Sequence, residues 1–176
     1  MDGSARLLDV ARRHLQDNSR WTPVHALFEE YTPDEPFDLV LATYVLEHVD
    51  SVEAILERAR QHWLVPGGRI AVAVPHALSL HRRLAVTMGL ANHVSELGET
   101  DARMGHRRCM TWQELEADLV NAGFEVVERK GLLTKALPNS ALTACTDEQL
   151  KGLVELGLEL PIEYSAAIYF QARVKS

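Results

Sequence analysis

The chain has 176 residues, 47% of them hydrophobic and 24% charged, which suits one globular domain with a real core. Its net charge of −7 argues against a groove that tracks nucleic-acid phosphates, because such grooves need clustered Lys and Arg. Cys109 and Cys145 are too few and too far apart for a disulfide framework or a zinc site, and no apolar run reaches the ~18 residues of a membrane span, so a soluble, reducing, cytoplasmic setting is expected.

Ser4 to Leu15 reads as an amphipathic helix, with Ser4 as N-cap and Leu7, Leu8, Ala11 and Leu15 on one face. Pro23 to Phe28 is a short strand candidate. Thr32-Pro33-Asp34-Glu35-Pro36 is a turn, since two prolines and two acids break any period. Asp38 to Ala42 is nearly all apolar, the pattern of a strand buried on both faces. Ser51 to Trp63 reads as a helix whose face carries Val52, Ile55, Leu56, Ala59 and Trp63. Pro66-Gly67-Gly68 should end it, and Arg69 to Val74 is another buried strand. Leu78 to Leu97 reads as a helix broken near Gly89, and Gly98 to Met110 as a polar loop. Thr111 then caps a helix, with Glu114 in the capping-box position and Gly123 at its C′ end. Phe124 to Arg129 is a strand, Asp147 to Leu156 a helix, and Ala166 to Val174 the last strand. Helices alternate with buried strands, so an α/β fold with a mostly parallel sheet follows, as a single domain over residues 1–176.

In such a sheet ligands collect at the carboxyl ends of the strands. Four segments sit at those ends: Asp2-Gly3-Ser4, Leu27-Phe28-Glu29, Ala42-Thr43-Tyr44 and Pro75-His76.

Taken together, the segments FDLVLATYVLEHV (from Phe37), WLVPGGRIAVAVP (to Pro75), DGS at residues 2–4 and Gly105-His106-Arg107-Arg108-Cys109-Met110-Thr111 resemble a class I S-adenosylmethionine-dependent methyltransferase domain. The resemblance runs from residue 2 to about residue 130 and more loosely beyond. It implies a Rossmann-like methyltransferase fold with an antiparallel last strand, incomplete at its amino end. It also implies S-adenosyl-L-methionine as cofactor. Asp2 matches the acid that accepts the ribose hydroxyls, a task for which a carboxylate is suited because it takes two O–H donors at once. Gly3 lies beside it. Phe28 matches the adenine-flanking position, with Leu27 where the family usually has an acid. Ala42, Thr43 and Tyr44 would lie beside the methionine end. Met110 replaces the aromatic residue usual in the GHxRxY/F-T segment.

The implied chemistry is methyl transfer to a hydroxyl or carbon of a small molecule. His106, and behind it His48 and His76, are the candidate bases, since an imidazole titrates near neutrality. A structural role for two of them weighs against this, His48 as a packed helix residue and His106 as a loop anchor. His76 and Arg107 are candidate substrate contacts. Arg82 and Arg83 read as a solvated face, and Trp63, Trp112 and Phe124 as core. No metal ligands are assigned. The resemblance further implies a central first strand, with its Gly-rich loop, upstream of residue 1. Without it, Asp38–Ala42 would expose an edge, and activity of the chain alone is in doubt. A second chain, or exchange between two copies, would complete the sheet. The rival readings are a non-catalytic adaptor of the same fold that binds no cofactor, and a fragment of another nucleotide-binding enzyme such as a dehydrogenase.

Overall fold

A computed structural model describes residues 1–136 and 139–175. The elements run α1 (Ala5–Leu15), β1 (Phe37–Thr43), α2 (Val52–Arg58), a π-helical turn (Ala59–Trp63), β2 (Leu64–Pro75), α3 (Leu80–Thr87), α4 (Glu99–Met104), α5 (Trp112–Asn121), β3 (Phe124–Thr134), α6 (Asn139–Leu142), α7 (Asp147–Glu159) and β4 (Ser165–Val174). Among the described residues they form a four-stranded sheet in the order β1-β2-β4-β3. β1 and β2 are parallel, while β4 runs antiparallel to both β2 and β3. Three strands thus point one way and the last opposes them, as expected.

The even-numbered residues of β2 and β4 face one core. Ile70, Val72 and Val74 stand opposite Ala172, Phe170 and Ile168. Ile55 and Leu56 of α2 and Leu115 and Leu119 of α5 belong to the same cluster, as does Phe124 at the start of β3. Burial of this kind contributes roughly 1.5–3 kcal/mol for each large apolar side chain. Caps fix where the helices begin. Ser4, Ser51 and Thr111 each accept an amide hydrogen bond from the first turn, and Thr111 and Glu114 form the reciprocal box. Gly123 follows α5 at φ +88°, a left-handed position that suits glycine.

Four expectations need correction. Pro23–Phe28 does not form a strand; it makes only an isolated bridge, His25 to Asp2. Pro66-Gly67-Gly68 does not end a helix. The helical run is over by Trp63, and the three residues lie inside β2 as a bulge, between the pairs Phe37–Leu64 and Leu39–Arg69. Gly67 takes φ +75° there, which a side chain would oppose. The helix expected over 78–97 spans only Leu80–Thr87. The expected loop over 98–110 contains α4, whose start is held by the Asp101 carboxylate accepting from the Gly98 amide. Among the described residues no helix is long and apolar enough to cross a membrane.

β1 is the least covered strand. Val40 and Ala42 turn toward the core cluster, whereas Phe37, Leu39 and Leu41 on its other face are exposed. One edge of β1 pairs with β2; the other faces a groove. α1 is equally bare: of its apolar face only Leu8 is buried, and Leu7 is exposed.

Candidate active site

The parallel register of β1 and β2 sets Thr43 opposite Ala73, so both strands end on one rim. The ladder continues one residue past β1, the Tyr44 amide donating to the Ala73 carbonyl at 2.7 Å. Tyr44 itself takes φ +56°. A bulky residue in that region is strained and worth notice at a strand end. Its ring is half exposed, and burial, then the negative charge of Glu47, pushes the phenol above its ordinary pKa.

The chain next makes a tight turn, the His48 amide donating to the Val45 carbonyl. His48 therefore sits in a turn and not in a helix. A later segment clamps this turn. The Arg107 amide donates to the Glu47 carbonyl at 2.8 Å, and the Arg108 guanidinium donates to the carbonyls of Leu46, Val49 and Asp50. Arg107 extends over the surface and pairs with Asp50. The hydrogen-bonding capacity of the GHRR segment is thus largely spent on backbone carbonyls.

Glu47, His48 and His106 converge here. Glu47 is 1% exposed and its carboxylate has no hydrogen-bond partner. Burial raises its pKa; its own backbone amide, close by but not aligned for a hydrogen bond, and then His48 and His106 pull the other way. His106 is nearly buried and donates from Nδ1 to Asp101 at 3.0 Å. Burial alone would raise the Asp101 pKa, but the Gly98 amide, Arg82 and His106 outweigh it and hold the carboxyl below its usual range. Arg82 is no solvated arginine: it pairs with Asp101 at 2.7 Å and donates to the carbonyls of Val94 and Glu96. Arg83 likewise donates to the Leu78 carbonyl and lies over the Tyr164 ring.

His76 is fully buried beyond the end of β2. Its backbone bridges to Met110, its Nδ1 donates to the Ser165 carbonyl at 3.2 Å, and burial lowers its pKa.

On the far side of β1, Asp2 pairs with His25 through backbone bonds to Val24 and Ala26. Its carboxylate accepts from the Ser4 amide at 2.7 Å, next to the start of α1. The Gly3 carbonyl accepts from the His25 imidazole. Met1, Phe28, Leu41, Ala42, Val45 and Trp63 help line the groove along β1, about 850 Å³ in volume, within the range of ligand pockets. Phe28 and Ala42 therefore share one cavity. Asp2 and Tyr44 do not line it, although Met1 and Val45 beside them in the chain do, while His48 and His106 belong to a separate corner of the rim. Sequence reasoning missed Glu47, Arg82 and Asp101 as members of that corner. His48 and His106 were both singled out from the sequence; their meeting with Glu47 was not, because nothing in the spacing brings residues 47 and 106 together.

Residues 2–129 match a family described as a methyltransferase domain. No curated protein matches the sequence significantly. Among solved structures, an S-adenosylmethionine-dependent methyltransferase from Mesorhizobium loti is 18% identical, covering 98% of this chain and 77% of that one, with a TM-score of 0.60. A possible histamine N-methyltransferase from Thermotoga maritima is 20% identical over 99% of this chain and 71% of its own, TM-score 0.63. The N-methyltransferase NodS from Bradyrhizobium japonicum, in complex with S-adenosyl-L-homocysteine, is 14% identical over 99% and 65%, TM-score 0.55. These likenesses show a shared fold.

Proposed function

Because the chain belongs to the methyltransferase-domain family, we propose that it binds S-adenosylmethionine and methylates a hydroxyl or carbon of a small molecule. The observation that carries this reading is the shared groove: Phe28 and Ala42 line it together, as do Met1 and Val45, the chain neighbours of Asp2 and Tyr44. The residues fit the adenosine half of the cofactor. Asp2 offers a carboxylate for the ribose, and Phe28 an apolar surface for the base. Ala42, Thr43 and Tyr44 would border the methionine half.

When bound, the cofactor supplies an electrophilic methyl group on a sulfonium. The protein's part is alignment and, for a hydroxyl acceptor, removal of a proton. The rim beyond β1 offers His106 and His48 for that step, with the exposed Arg107 as the substrate contact; His76, expected in the same role, is fully buried and presents no surface to a substrate. The net charge of −7 favours a metabolite over nucleic acid as acceptor.

The open edge of β1 favours a second reading, in which the chain works only after gaining a strand. The groove runs along Phe37, Leu39, Val40, Leu41 and Ala42 and is closed opposite by Met1, Trp21, Thr22 and Val24. A strand added there would pair with β1 and cover its apolar residues. It would come from another chain or another copy.

Calorimetric titration with S-adenosylhomocysteine tests the first reading. Binding that Asp2→Asn weakens about tenfold, the loss expected of a charge-assisted hydrogen-bond pair, supports it. No heat at millimolar ligand would refute cofactor binding by this chain alone and leave the non-catalytic reading.

A further inference from the structure

Glu47 raises a question that methyl transfer does not answer. Its side chain is 1% exposed, yet neither carboxylate oxygen has a hydrogen-bond partner. Burying a carboxylate without compensation is costly, and such groups are rare in native folds. Two imidazoles stand beside it. The His48 and His106 rings meet edge to face, with centroids 4.9 Å apart and planes at 70°. One ligating atom from each of the three residues lies within 4.8 Å of the other two.

Both imidazoles are already oriented. His48 donates from Nδ1 to the Gly105 carbonyl at 3.2 Å, and His106 from Nδ1 to one Asp101 oxygen at 3.0 Å. A proton on Nδ1 leaves Nε2 with a free lone pair, the form in which histidine binds a metal. Arg82 holds the other Asp101 oxygen at 2.7 Å. A carboxylate behind a ligating imidazole is the common outer support of metal-bound histidine. The backbone of the turn is fixed as well, through Arg107 and Arg108.

We propose that Glu47, His48 and His106 form a binding site for a divalent cation of the zinc class. Two nitrogens and one carboxylate suit zinc, whereas magnesium and calcium favour shells of oxygen. Two ligands on a tetrahedral zinc ion stand roughly 3.4 Å apart, so small side-chain rotations close the present spacing. The cation supplies the positive charge that the buried carboxylate lacks. Three protein ligands leave one position for water or for a hydroxyl. An ion there would withdraw the Nε2 lone pairs from proton transfer and polarise the bound oxygen instead. That consequence rests on the methyl-transfer reading; the site itself does not.

The test uses the full chain stripped with a chelator and titrated calorimetrically with zinc chloride, with metal content measured by plasma emission. The expected result is one ion per chain with a dissociation constant of about 10 µM or tighter. Glu47→Gln and His48→Gln should each weaken it at least about tenfold. His62→Gln, at an exposed histidine, should not. Cobalt should give a visible d–d band that Glu47→Gln abolishes. Circular dichroism establishes that each variant is folded, and His48→Gln, at a partly exposed side chain, carries the test if the buried variant is not. Zinc binding unchanged in both variants, or none up to about 1 mM, overturns the proposal. Titrating the same samples with S-adenosylhomocysteine reports on cofactor binding separately, so the two ideas fail independently.

Discussion

Replacing Leu41 with lysine probes the open side of β1. Phe37, Leu39 and Leu41 are 44%, 48% and 67% exposed. Covering what remains in water would yield roughly 2–5 kcal/mol per chain, taking about 1.5–3 kcal/mol for a whole side chain. Two copies meeting through this strand would double that and add backbone hydrogen bonds along an edge that β2 does not use. The sum falls within the cost of association, roughly 4–15 kcal/mol, so reversible, concentration-dependent pairing is expected. Leu41→Lys removes about 1–2 kcal/mol per copy, which in a symmetric pair shifts the dissociation constant by roughly 30-fold to 1,000-fold. The fold should not suffer, because the side chain is mostly in water. Sedimentation equilibrium across a concentration series reads the shift, and thermal melting of the monomer serves as control. A wild-type chain that stays monomeric throughout, or a variant that pairs equally well, would refute the reasoning.

Three further outcomes are expected. Cys109 is buried, and burial pushes its thiol up to about 11; iodoacetamide at pH 8 should therefore modify Cys145 and spare Cys109 until denaturant is added, as peptide mass spectrometry would reveal. Burial, then the charges of Lys135 and Arg82, lowers the pKa of His81 to about 4, against about 6.5 in the unfolded chain. The unfolded state then binds more protons, so this contribution to stability is complete above pH 6.5 and declines as pH falls toward 4. His81→Gln should flatten the fall of the melting temperature across that window, and a difference from wild type that does not vary with pH would sink the idea. Phe124→Ala, at a fully buried ring beside α5, should cost about 3–5 kcal/mol in urea unfolding.

Local chemistry made much of this fold legible. Continuous apolar runs marked β1 and β2, and Thr111 with Glu114 marked the start of α5, because those signals act over a few residues. Misreadings arose where partners lie far away. Pro23–Phe28 has the composition of a strand but finds only Asp2 to pair with. Pro66-Gly67-Gly68 carries turn residues, yet the register with β1 absorbs them as a bulge. α4 lacks an apolar face, and its start depends on the Asp101 carboxylate. Of the four segments expected at strand ends, Ala42-Thr43-Tyr44 and Pro75-His76 do close β1 and β2, whereas residues 2–4 and 27–29 lie only at or just past the isolated Asp2–His25 bridge. Of the Glu47 corner, His48 and His106 were named singly, but their convergence on Glu47 was not, since His106 reaches it only through the folding of everything between.

Arg108 carries a consequence of its own. Its planar fork binds three carbonyls of a turn that has little hydrogen bonding of its own. A lysine could not reproduce that fork, because an ammonium presents its donors from a single point. The stitched segments behave as one block. If the pocket opens to admit a ligand, residues 45–50 and 105–108 must travel together, and the hinge has to be sought outside them.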